Sequence, residues 1–425
     1  MFKKYRDKIP KNSVSPIAFF VSWYRATNET FVSNELYSFQ RSGVSGSIYY
    51  ERLNKRNIQP VNLRINYPSH FIFSYPFRNF RGHKREKLLS HLSILFANPI
   101  GYMRAVIFFQ KMPIPKDRDL FVLMGLLAAR LRLSKTKLIY IHDGKWISFI
   151  GILCSYLAGI PCGIIFHTEY IFARPEDLFQ KLVHANFTIF QSQYSRSYVI
   201  AKIGVNRDVQ KRMHVISSPG VNVDFFKPLE KRKHHKGLRI LSIGRLEEMK
   251  GFDSLVHAIK VLRSECIDAS CTIVGYGSRE EHLKKLIRSL RLKQYVSLAG
   301  FMGHSKKLLQ LMSDADMFVL PSVVDKKGDR DMQPNAVKEA MAMELLVLTS
   351  NLGGIEEVIN DGVNGFLLPS SDPKVIAAVI KRVWRLPDRE RKIIQKRARD
   401  TIIKHHGSSL IIGQLNRLFR HEVAM

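Results

Sequence analysis

Cysteine and acidic residues are the scarce components of this 425-residue sequence. It contains four cysteines, with no Cys-x-x-Cys pair and no Cys/His spacing typical of zinc, which excludes a cysteine-based metal site. Asp and Glu number 36, against 67 Lys and Arg. The start, Met-Phe-Lys-Lys, leads into no secretory signal peptide. We therefore expect a protein of the reducing cytoplasm.

Long uninterrupted hydrophobic runs are also missing. The strongest candidate, residues 146–166, is broken by Gly159-Ile160-Pro161, so it predicts a buried helix, a turn and a buried strand rather than a membrane span. Hydrophobic residues make up 45% and charged residues 24% of the chain, which is ordinary for a globular protein. At about 100 to 200 residues per domain, the length predicts two or three domains.

Positive charge is concentrated in the N-terminal half. The chain carries a formal net charge of +31, and residues 1–235 contribute 36 basic and 14 acidic side chains, or +22. Such an excess indicates a polyanionic neighbour, whether nucleic acid, an anionic membrane surface or a phosphorylated substrate. A basic solvated surface without a specific partner is also compatible with this composition.

Short apolar runs alternate with helical patterns, which is typical of parallel sheets covered by helices. Predicted strands are 16–23, 137–141, 162–167, 187–191, 238–243, 269–274, 295–299, 317–320 and 346–350. Predicted helices in the second half are 251–265, 279–290, 305–313, 335–343 and 354–360, with basic helices over 373–425. The fold class is therefore α/β, with two Rossmann-like doubly wound domains over 1–230 and 231–425. Such domains bind ligands in a central cleft.

A glycine, an arginine and a lysine follow the predicted strand at 238–243. Gly244 lets the backbone approach a ligand, Arg245 offers a planar fork for phosphate oxygens, and Lys250 adds a compact positive charge. The helix expected from Gly251 would add free N–H groups. The segment predicts a phosphate site, although an Arg and a Lys at a strand end are also compatible with simple solvation.

Two further glycine pairs follow predicted strands. Gly275 and Gly277 form a Gly-x-Gly, for which an ordinary tight turn is the alternative interpretation. Gly353 and Gly354 precede a predicted helix, whose N-terminus offers a second cradle for a diphosphate.

A pair of carboxylates brackets the start of another predicted helix. Pro334 suits the first helical position, which places Asp331 on the preceding loop and Glu339 one turn into the helix. Both carboxylates can then face one cavity and accept hydrogen bonds from sugar hydroxyls. The alternative is a pair of surface carboxylates that only favour the helix dipole.

In their order and spacing, these segments resemble the retaining, nucleotide-sugar-dependent glycosyltransferases of family four, which have the GT-B fold. The similarity covers nearly all of residues 237–370. Its motifs are Ser242-Ile243-Gly244-Arg245 with Lys250-Gly251, Val274-Gly275-x-Gly277, Ala315-Asp316 followed by Leu320-Pro321-Ser322, Asp331 with Glu339, Gly353-Gly354 with Glu357, and Asp361-Gly362-x-Asn364-Gly365-Phe366. The first half is similar, more loosely, to the bacterial exopolysaccharide and colanic-acid branch, through residues 29–35, 142–143 and 166–170.

The resemblance implies a role for each matching residue. Arg245 and Lys250 would bind the donor diphosphate and stabilise its charge as the glycosidic bond breaks. Glu339 would accept hydrogen bonds from the ribose, and Asp331 would contact the transferred sugar. The catalytic residues implied are His167, Arg245, Lys250 and Asp331, and the donor-binding ones are Gly244, Gly275, Gly277, Glu339, Gly353 and Gly354. Such enzymes generally need no metal and no other cofactor.

His167 would line the reaction centre, although on chemistry alone a single histidine at a strand end is more often a structural hydrogen-bonding residue. Several positions depart from the family pattern. Asp331 replaces the usual Glu, Thr168 a common glycine, and Glu344 and Leu346 a glycine and a proline. These substitutions leave the donor sugar undefined and keep open a catalytically inactive relative.

The sequence thus predicts a retaining hexosyltransferase that uses a UDP- or GDP-sugar in bacterial surface polysaccharide or lipopolysaccharide synthesis. The acceptor would be a saccharide, lipid-linked, at the inner face of the cell membrane, and no nucleic acid would bind. The basic side chains expected at that membrane are Lys3, Lys4, Arg6, Lys8, Lys11, Arg78, Arg81, Lys84, Arg85 and Lys87. The aromatics Tyr75, Phe77 and Phe80 also suit an interface, although a position in the buried core is equally compatible with each of them. The alternatives are another GT-B enzyme such as a phosphorylase or epimerase, an inactive scaffold, and a basic nucleic-acid-binding protein.

Overall fold

The computed structural model describes residues 14–24, 30–53, 64–72, 84–113, 118–144, 146–173, 175–229 and 237–424. The chain divides into two compact units, each built on one parallel sheet. The first unit comprises Met1–Gln191, Arg196–Ile216 and Ile411–Met425, and the second comprises Ser192–Ser195 and Ser217–Leu410. Residues 231–236, which follow the predicted domain boundary, lie outside the described residues, as do most of the predicted basic membrane contacts.

The sheet of the first unit has seven parallel strands. They are β1 Ile17–Tyr24, β2 Gly46–Leu53, β3 Ser69–Phe71, β4 Leu138–His142, β5 Cys162–Ile165, β6 Phe187–Phe190 and β7 Met213–Val215. Their order is β3-β2-β1-β4-β5-β6-β7, so the direction of winding reverses between β1 and β4. Strands β4, β5 and β6 are buried throughout, because helices cover both faces of a parallel sheet.

Helices surround this sheet. Those between residues 30 and 211 are α1 Thr30–Arg41, α2 Lys84–Ala97, α3 Pro99–Lys111, α4 Arg118–Leu133, α5 Ile147–Ala158, α6 Thr168–Phe172, α7 Leu178–His184, α8 Gln193–Ile203 and α9 Arg207–Lys211. Helix α5 is almost wholly buried and ends at Gly159, which adopts the left-handed conformation with φ +66°. The prediction of a buried helix, a turn and a buried strand over 146–166 is confirmed.

The sheet of the second unit has six parallel strands. They are β8 Leu238–Ile243, β9 Ala269–Val274, β10 Val296–Leu298, β11 Met317–Leu320, β12 Leu346–Ser350 and β13 Phe366–Leu368, in the order β10-β9-β8-β11-β12-β13. The helices that follow residue 250 in the chain are α10 Phe252–Ser264, α11 Glu280–Ser289, α12 Lys306–Asp314, α13 Asn335–Ala342, α14 Pro373–Trp384, α15 Asp388–Thr401 and α16 Ser408–Ala424. The five strands predicted here are present, and β13 is an addition to them.

One predicted helix, 354–360, is wrong. The structure has only a 3-10 turn at Ile355–Glu357. Gly353 and Gly354 have φ values of +61° and +87°, and the Asn364 side chain both donates to Val358 O at 3.1 Å and accepts from Asn360 N at 2.8 Å. These bonds occupy backbone groups that a longer helix would need. At α13 the difference is one residue, since Pro334 immediately precedes the helix rather than opening it.

Helix α16 contributes to the core of the first unit. Its buried apolar side chains include Ile411, Leu415 and Phe419, spaced four residues apart. The Phe419 ring lies 4.9 Å from that of Tyr140 and 5.8 Å from that of Phe39, measured between centroids. The division of the chain therefore differs from the predicted boundary at 230. The main part of the second unit begins at Ser217, and the chain returns to the first unit at Ile411.

In the described part of the chain, no single helix is long and apolar enough to cross a bilayer. Only α2 and α3 taken together reach that length, and they are bent by 118° relative to one another.

Candidate functional site

The winding of the second sheet reverses between β8 and β11. Ligands of open parallel sheets bind outside the carboxyl ends of the strands at such a reversal. The segment that leaves β8 runs from Gly244 to Gly251, and the one that leaves β11 begins with Pro321 and Ser322. The predicted phosphate segment therefore lies at the position where this fold binds ligands.

Lys250 is held by a buried carboxylate at this point. Its Nζ lies 2.5 Å from Asp331 Oδ1, and the Ser322 hydroxyl donates to Asp331 Oδ2 at 2.5 Å. Asp331 is only 8% exposed, so solvent screens the pair weakly. Both carboxylate oxygens of Asp331 are engaged, which makes this residue a support for the Lys250 ammonium group. The predicted contact of Asp331 with a sugar stays a prediction.

Gly251 explains how Lys250 reaches Asp331. Its φ is +64°, and a Cβ at this position would lie 1.9 Å from the Pro321 carbonyl oxygen. Gly244 is also closely approached, because a Cβ there would lie 3.3 Å from Lys250 Cδ. The absence of a side chain at Gly251 therefore lets the segment after β8 pack against the end of β11.

We expect Gly251→Ala to destabilise the second unit more than Gly362→Ala. Both glycines have positive φ, +64° and +71°, but a Cβ at Gly362 would meet nothing within 4 Å. Both variants incur the left-handed backbone cost of about 1–2 kcal/mol, and Gly251→Ala adds an overpacking cost of about 1–3 kcal/mol. Chemical denaturation of the two variants measures the difference. Equal denaturation midpoints for the two variants would show that the close approach of Gly251 to Pro321 adds nothing to the cost of the substitution.

Gly275 and Gly277 pack against backbone. A Cβ at Gly275 would lie 1.8 Å from Gly244 O, and one at Gly277 would lie 2.5 Å from Leu246 O. The two segments are also joined by hydrogen bonds, from Gly244 N to Val274 O at 3.0 Å and from Leu246 N to Tyr276 O at 2.9 Å. These glycines let the segments after β8 and β9 lie side by side, and their predicted contact with a donor stays a prediction.

Gly353 and Gly354 bring a third segment to the site. A Cβ at Gly353 would lie 2.2 Å from Asp331 O, so this glycine lies directly on the backbone that carries the carboxylate. The Gln333 side chain donates to Gly354 O at 3.4 Å. Of the predicted residues, the structure thus brings Gly244, Lys250, Asp331 and Gly353 into one contiguous cluster.

Glu339 has a partner that the sequence did not indicate. Its Oε1 lies 3.2 Å from His304 Nε2, and the carboxylate side chain is 12% exposed. The His304 ring packs on Phe225 and Phe226, with centroid distances of 5.7 and 4.9 Å. Because His304 lies in no motif, no sequence signal could have found it. Arg245, by contrast, is exposed, with its guanidinium 3.8 Å from the sulfur of Met249.

A buried lysine precedes Glu339 on α13. Lys338 is 1% exposed, and burial lowers the pKa of its ammonium group to about 8. Its Nζ lies 3.5 Å from the Ser217 hydroxyl, which also lies 3.2 Å from His406 Nδ1. Burial and the nearby Lys338 lower the pKa of His406 to about 3, so that histidine is neutral at physiological pH. No sequence motif indicated this cluster either.

His167 lies in the first unit, beyond the carboxyl end of β5. Its Nε2 lies 3.4 Å from His142 Nδ1, and its Nδ1 lies 3.3 Å from the Gln191 side-chain nitrogen. His142 Nε2 in turn lies 3.4 Å from the buried carboxylate of Glu35. Burial, and then the neighbouring His142, hold the pKa of His167 well below its ordinary value, so the ring is neutral at physiological pH. The ring of Phe31 packs on it with centroids 4.4 Å apart.

The contacts of His167 limit what it can do. Both ring nitrogens already face a protein group, at distances long for hydrogen bonds. Direct contact with a substrate therefore requires one of these weak contacts to be exchanged, and the active-site role of His167 stays a prediction. Asp143, the neighbour of His142, is structural: it pairs with Lys181 at 2.8 Å and accepts from the Ser148 hydroxyl at 2.6 Å, all three side chains being buried.

The family model of the group 1 glycosyl transferases matches residues 225–401, which contain the whole Lys250–Asp331 cluster. The predicted family resemblance is confirmed over this segment. This glycosyl transferase segment also contains Arg245, Glu339, Gly353 and Gly354, so all the predicted residues of the second half lie inside it.

Two curated relatives extend the similarity. The amylovoran biosynthesis glycosyltransferase AmsK of Erwinia amylovora is 38% identical over 149 residues, which is 35% of this chain and 36% of AmsK. The putative colanic acid biosynthesis glycosyltransferase WcaL of Escherichia coli is 30% identical over 205 residues, 48% of this chain and 50% of WcaL. The chain thus spans about a third to a half of the length of these relatives.

Solved structures match nearly the whole chain. HepE of Anabaena, determined in complex with UDP, gives a TM-score of 0.70 at 16% identity over 96% of this chain and 100% of HepE. A glycosyltransferase from Rickettsia africae gives 0.71 over 96% and 98%. At this identity the likeness concerns the fold. Together with the two parallel sheets, it confirms the prediction of a GT-B fold with two Rossmann-like units.

Proposed function

We propose that the protein is a retaining glycosyltransferase that moves a hexose from a UDP- or GDP-sugar to a saccharide acceptor. The observation that carries this proposal is the Lys250 ammonium group, which is fixed by buried Asp331 at the reversal of the second sheet. The cluster lies inside the segment that matches the group 1 glycosyl transferases. A fixed cation at this place suits the diphosphate of a nucleotide sugar.

The chemistry assigned to this cluster is electrostatic. The bond between the anomeric carbon and the diphosphate oxygen breaks, and Lys250 with Arg245 stabilises the charge that develops on the departing oxygen. The acceptor hydroxyl attacks from the same face, forms the new glycosidic bond and passes its proton to the departing diphosphate. This route retains the anomeric configuration and needs no nucleophile from the protein. It also needs no metal, since the two cations neutralise the diphosphate.

The remaining donor contacts follow from the same arrangement. Glu339, fixed by His304, is assigned to the ribose hydroxyls, and the backbone at Gly353 and Gly354 to the sugar or phosphate. HepE was solved with UDP and with UDP-glucose, which supports a nucleotide sugar as the ligand. In the first unit, neutral His167 is assigned to the reaction centre, where a neutral imidazole can exchange hydrogen bonds with sugar hydroxyls.

The acceptor is proposed to be a lipid-linked saccharide of bacterial surface polysaccharide or lipopolysaccharide synthesis. The names of AmsK and WcaL, which refer to amylovoran and colanic acid biosynthesis, support this assignment. Such an acceptor would place the protein in the cytoplasm, peripherally at the inner face of the membrane. The basic excess of +22 over residues 1–235 suits the anionic lipids of that face.

Release of nucleotide diphosphate from a panel of UDP- and GDP-sugars tests this proposal, with membrane extract as the source of acceptor. We expect release from one donor, and at least a tenfold loss of rate in Arg245→Ala, because removal of an exposed cation weakens but does not abolish diphosphate binding. Arg288→Ala, an exposed arginine on α11, is the matched control and should keep the full rate. Nucleotide binding without release would indicate an inactive relative, and no nucleotide binding would contradict the proposal.

A further inference from the structure

Exposed apolar side chains cluster on α2 and α3. Among the described residues, eight large exposed apolar side chains fall within the short stretch from residue 88 to residue 107, and the others are scattered through both units. The eight, here called the α2–α3 surface, are Leu88, Leu89, Leu92, Leu95, Phe96, Ile100, Met103 and Ile107. Phe96 is 82% and Ile100 69% exposed. A patch of this density marks an interaction site rather than ordinary surface.

The core does not account for these side chains, because each helix already packs through its other face. On α2 the buried residues are Ser90 and Ile94, and on α3 they are Gly101, Ala105 and Phe108. On α3 the exposed Ile100, Met103 and Ile107 recur at intervals of three and four residues, so they form a separate stripe. The two helices therefore carry apolar residues on both the buried and the exposed side.

The bend between the helices is fixed. Asn98 accepts a hydrogen bond from Gly101 N at 3.1 Å through Oδ1 and donates to Tyr156 O at 2.8 Å through Nδ2. His91 on α2 also lies 2.9 Å from the Tyr102 hydroxyl on α3. With the helices held at 118°, the apolar stretch is not a straight span, and its exposed side chains are presented along two short helices.

The charges beside this surface are almost all positive. Residues 85–111 contain the basic side chains Arg85, Lys87, Arg104 and Lys111, and Glu86 is their one acidic residue. Glu86 itself lies 3.4 Å from Arg130. Arg104 and Lys111 each follow an exposed apolar residue by one helical turn, Ile100 and Ile107 respectively. An anionic lipid surface attracts apolar side chains that are mixed with cations. Nucleic acid would contact the cations but would leave the apolar side chains exposed to water.

We propose that the α2–α3 surface docks the protein on an anionic lipid bilayer. The Leu, Ile, Met and Phe side chains enter the boundary between headgroups and acyl chains, and the four cations lie at the level of the lipid phosphates. The inference rests on the membrane-associated function proposed above and assigns it to named residues. Both helices lie along the membrane surface, and neither crosses it.

Sedimentation with vesicles tests this docking, with no nucleotide sugar or acceptor present. We expect the full chain to bind vesicles of phosphatidylglycerol and phosphatidylcholine, and to bind phosphatidylcholine alone at least tenfold more weakly. A four-serine variant should lower the partition coefficient on the mixed vesicles at least tenfold. It combines Leu88→Ser, Leu92→Ser, Phe96→Ser and Ile100→Ser. Because all four side chains are exposed, circular dichroism and the thermal midpoint should stay unchanged.

Two further variants sharpen the test. Leu133→Ser with Ile393→Ser removes two exposed apolar side chains from elsewhere and should leave vesicle binding unchanged. A variant without the four cations should bind the mixed vesicles more weakly, and its binding should depend less on salt concentration. It combines Arg85→Gln, Lys87→Gln, Arg104→Gln and Lys111→Gln. Absence of binding by the full chain, full binding by the four-serine variant, or a concentration-dependent dimer that this variant abolishes would each overturn the docking.

The failure of docking and the failure of the transferase proposal are separable. Donor turnover with a detergent-solubilised acceptor needs no bilayer, so it should survive in the four-serine variant. A protein that binds vesicles but releases no nucleotide diphosphate would keep the docking surface and lose the proposed activity.

Discussion

Lys250→Met is expected to lower kcat/KM for nucleotide diphosphate release by about 10²–10³-fold, the effect of removing one preorganised charge from a developing anion. Methionine keeps an apolar stem of similar length, so the packing of the Lys250 side chain beside Gly244 is preserved. The loss therefore reports the ammonium charge. Initial rates with the donor identified in the panel, at concentrations below KM, give the comparison.

Lys260→Met on α10 is the matched control, because it removes an exposed lysine from the same unit. Asp331→Asn should also lower the rate, since Asp331 fixes Lys250 through the 2.5 Å contact. If the two residues act as one pair, the effects of Lys250→Met and Asp331→Asn will not add in the double variant. If Lys250→Met kept more than a third of the parent kcat/KM, the Lys250 cation would not be what stabilises the leaving group.

The second large effect concerns stability and Lys338. Its pKa is about 8 in the folded protein, below its ordinary value of 10.5, because burial disfavours the charged form. Between these two pH values the unfolded chain binds more protons than the folded one, so the free energy of unfolding rises with pH across this window. The contribution is fully present above pH 10.5 and is lost as the pH falls to 8. A shift of this size corresponds to about 3 kcal/mol.

Lys338→Met removes this dependence. The quantity to compare is the free energy of unfolding of the variant minus that of the parent protein. This difference should be about 3 kcal/mol larger at pH 7 than at pH 10.5, because methionine has no proton to exchange. Urea unfolding at several pH values measures the difference between the two proteins, in which groups common to both cancel. Lys374→Met on α14, where the lysine is exposed, should show no such trend. A flat difference for Lys338→Met would mean that Lys338 keeps its ordinary pKa in the folded protein.

Much of the second unit could be predicted because its strands are continuous apolar runs bounded by turn residues. Residues 238–243 and 317–320 are uniformly apolar apart from Arg239 and Ser242, which is the pattern of a strand covered on both faces. The contact between Lys250 and Asp331 joins residues 81 positions apart, so it follows from the sheet order and not from local spacing. Only the family resemblance placed these two residues in one site.

Other features left too weak a signal. Gly275 and Gly277 show the same Gly-x-Gly pattern whether the backbone approaches a phosphate or another segment, and here it approaches Gly244 and Leu246. A helix that is apolar on both sides, such as α2, gives no indication of which side is buried. The apolar stripe of α16 correctly indicated a helix, but periodicity does not say which sheet that helix will cover.

Helix α16 also sets an order of events during synthesis. Phe419 packs with Phe39, Tyr140 and Phe187. The core of the first unit therefore lacks these aromatic contacts until Phe419 has been synthesised. All of the second unit is translated in between. At about 5–20 residues per second, the roughly 200 intervening residues take about 10–40 s. During that interval the nascent first unit lacks the aromatic contacts of Phe419, and the second unit is complete only at Leu410, nine residues before Phe419. The first unit therefore completes its core only after the second unit has been made.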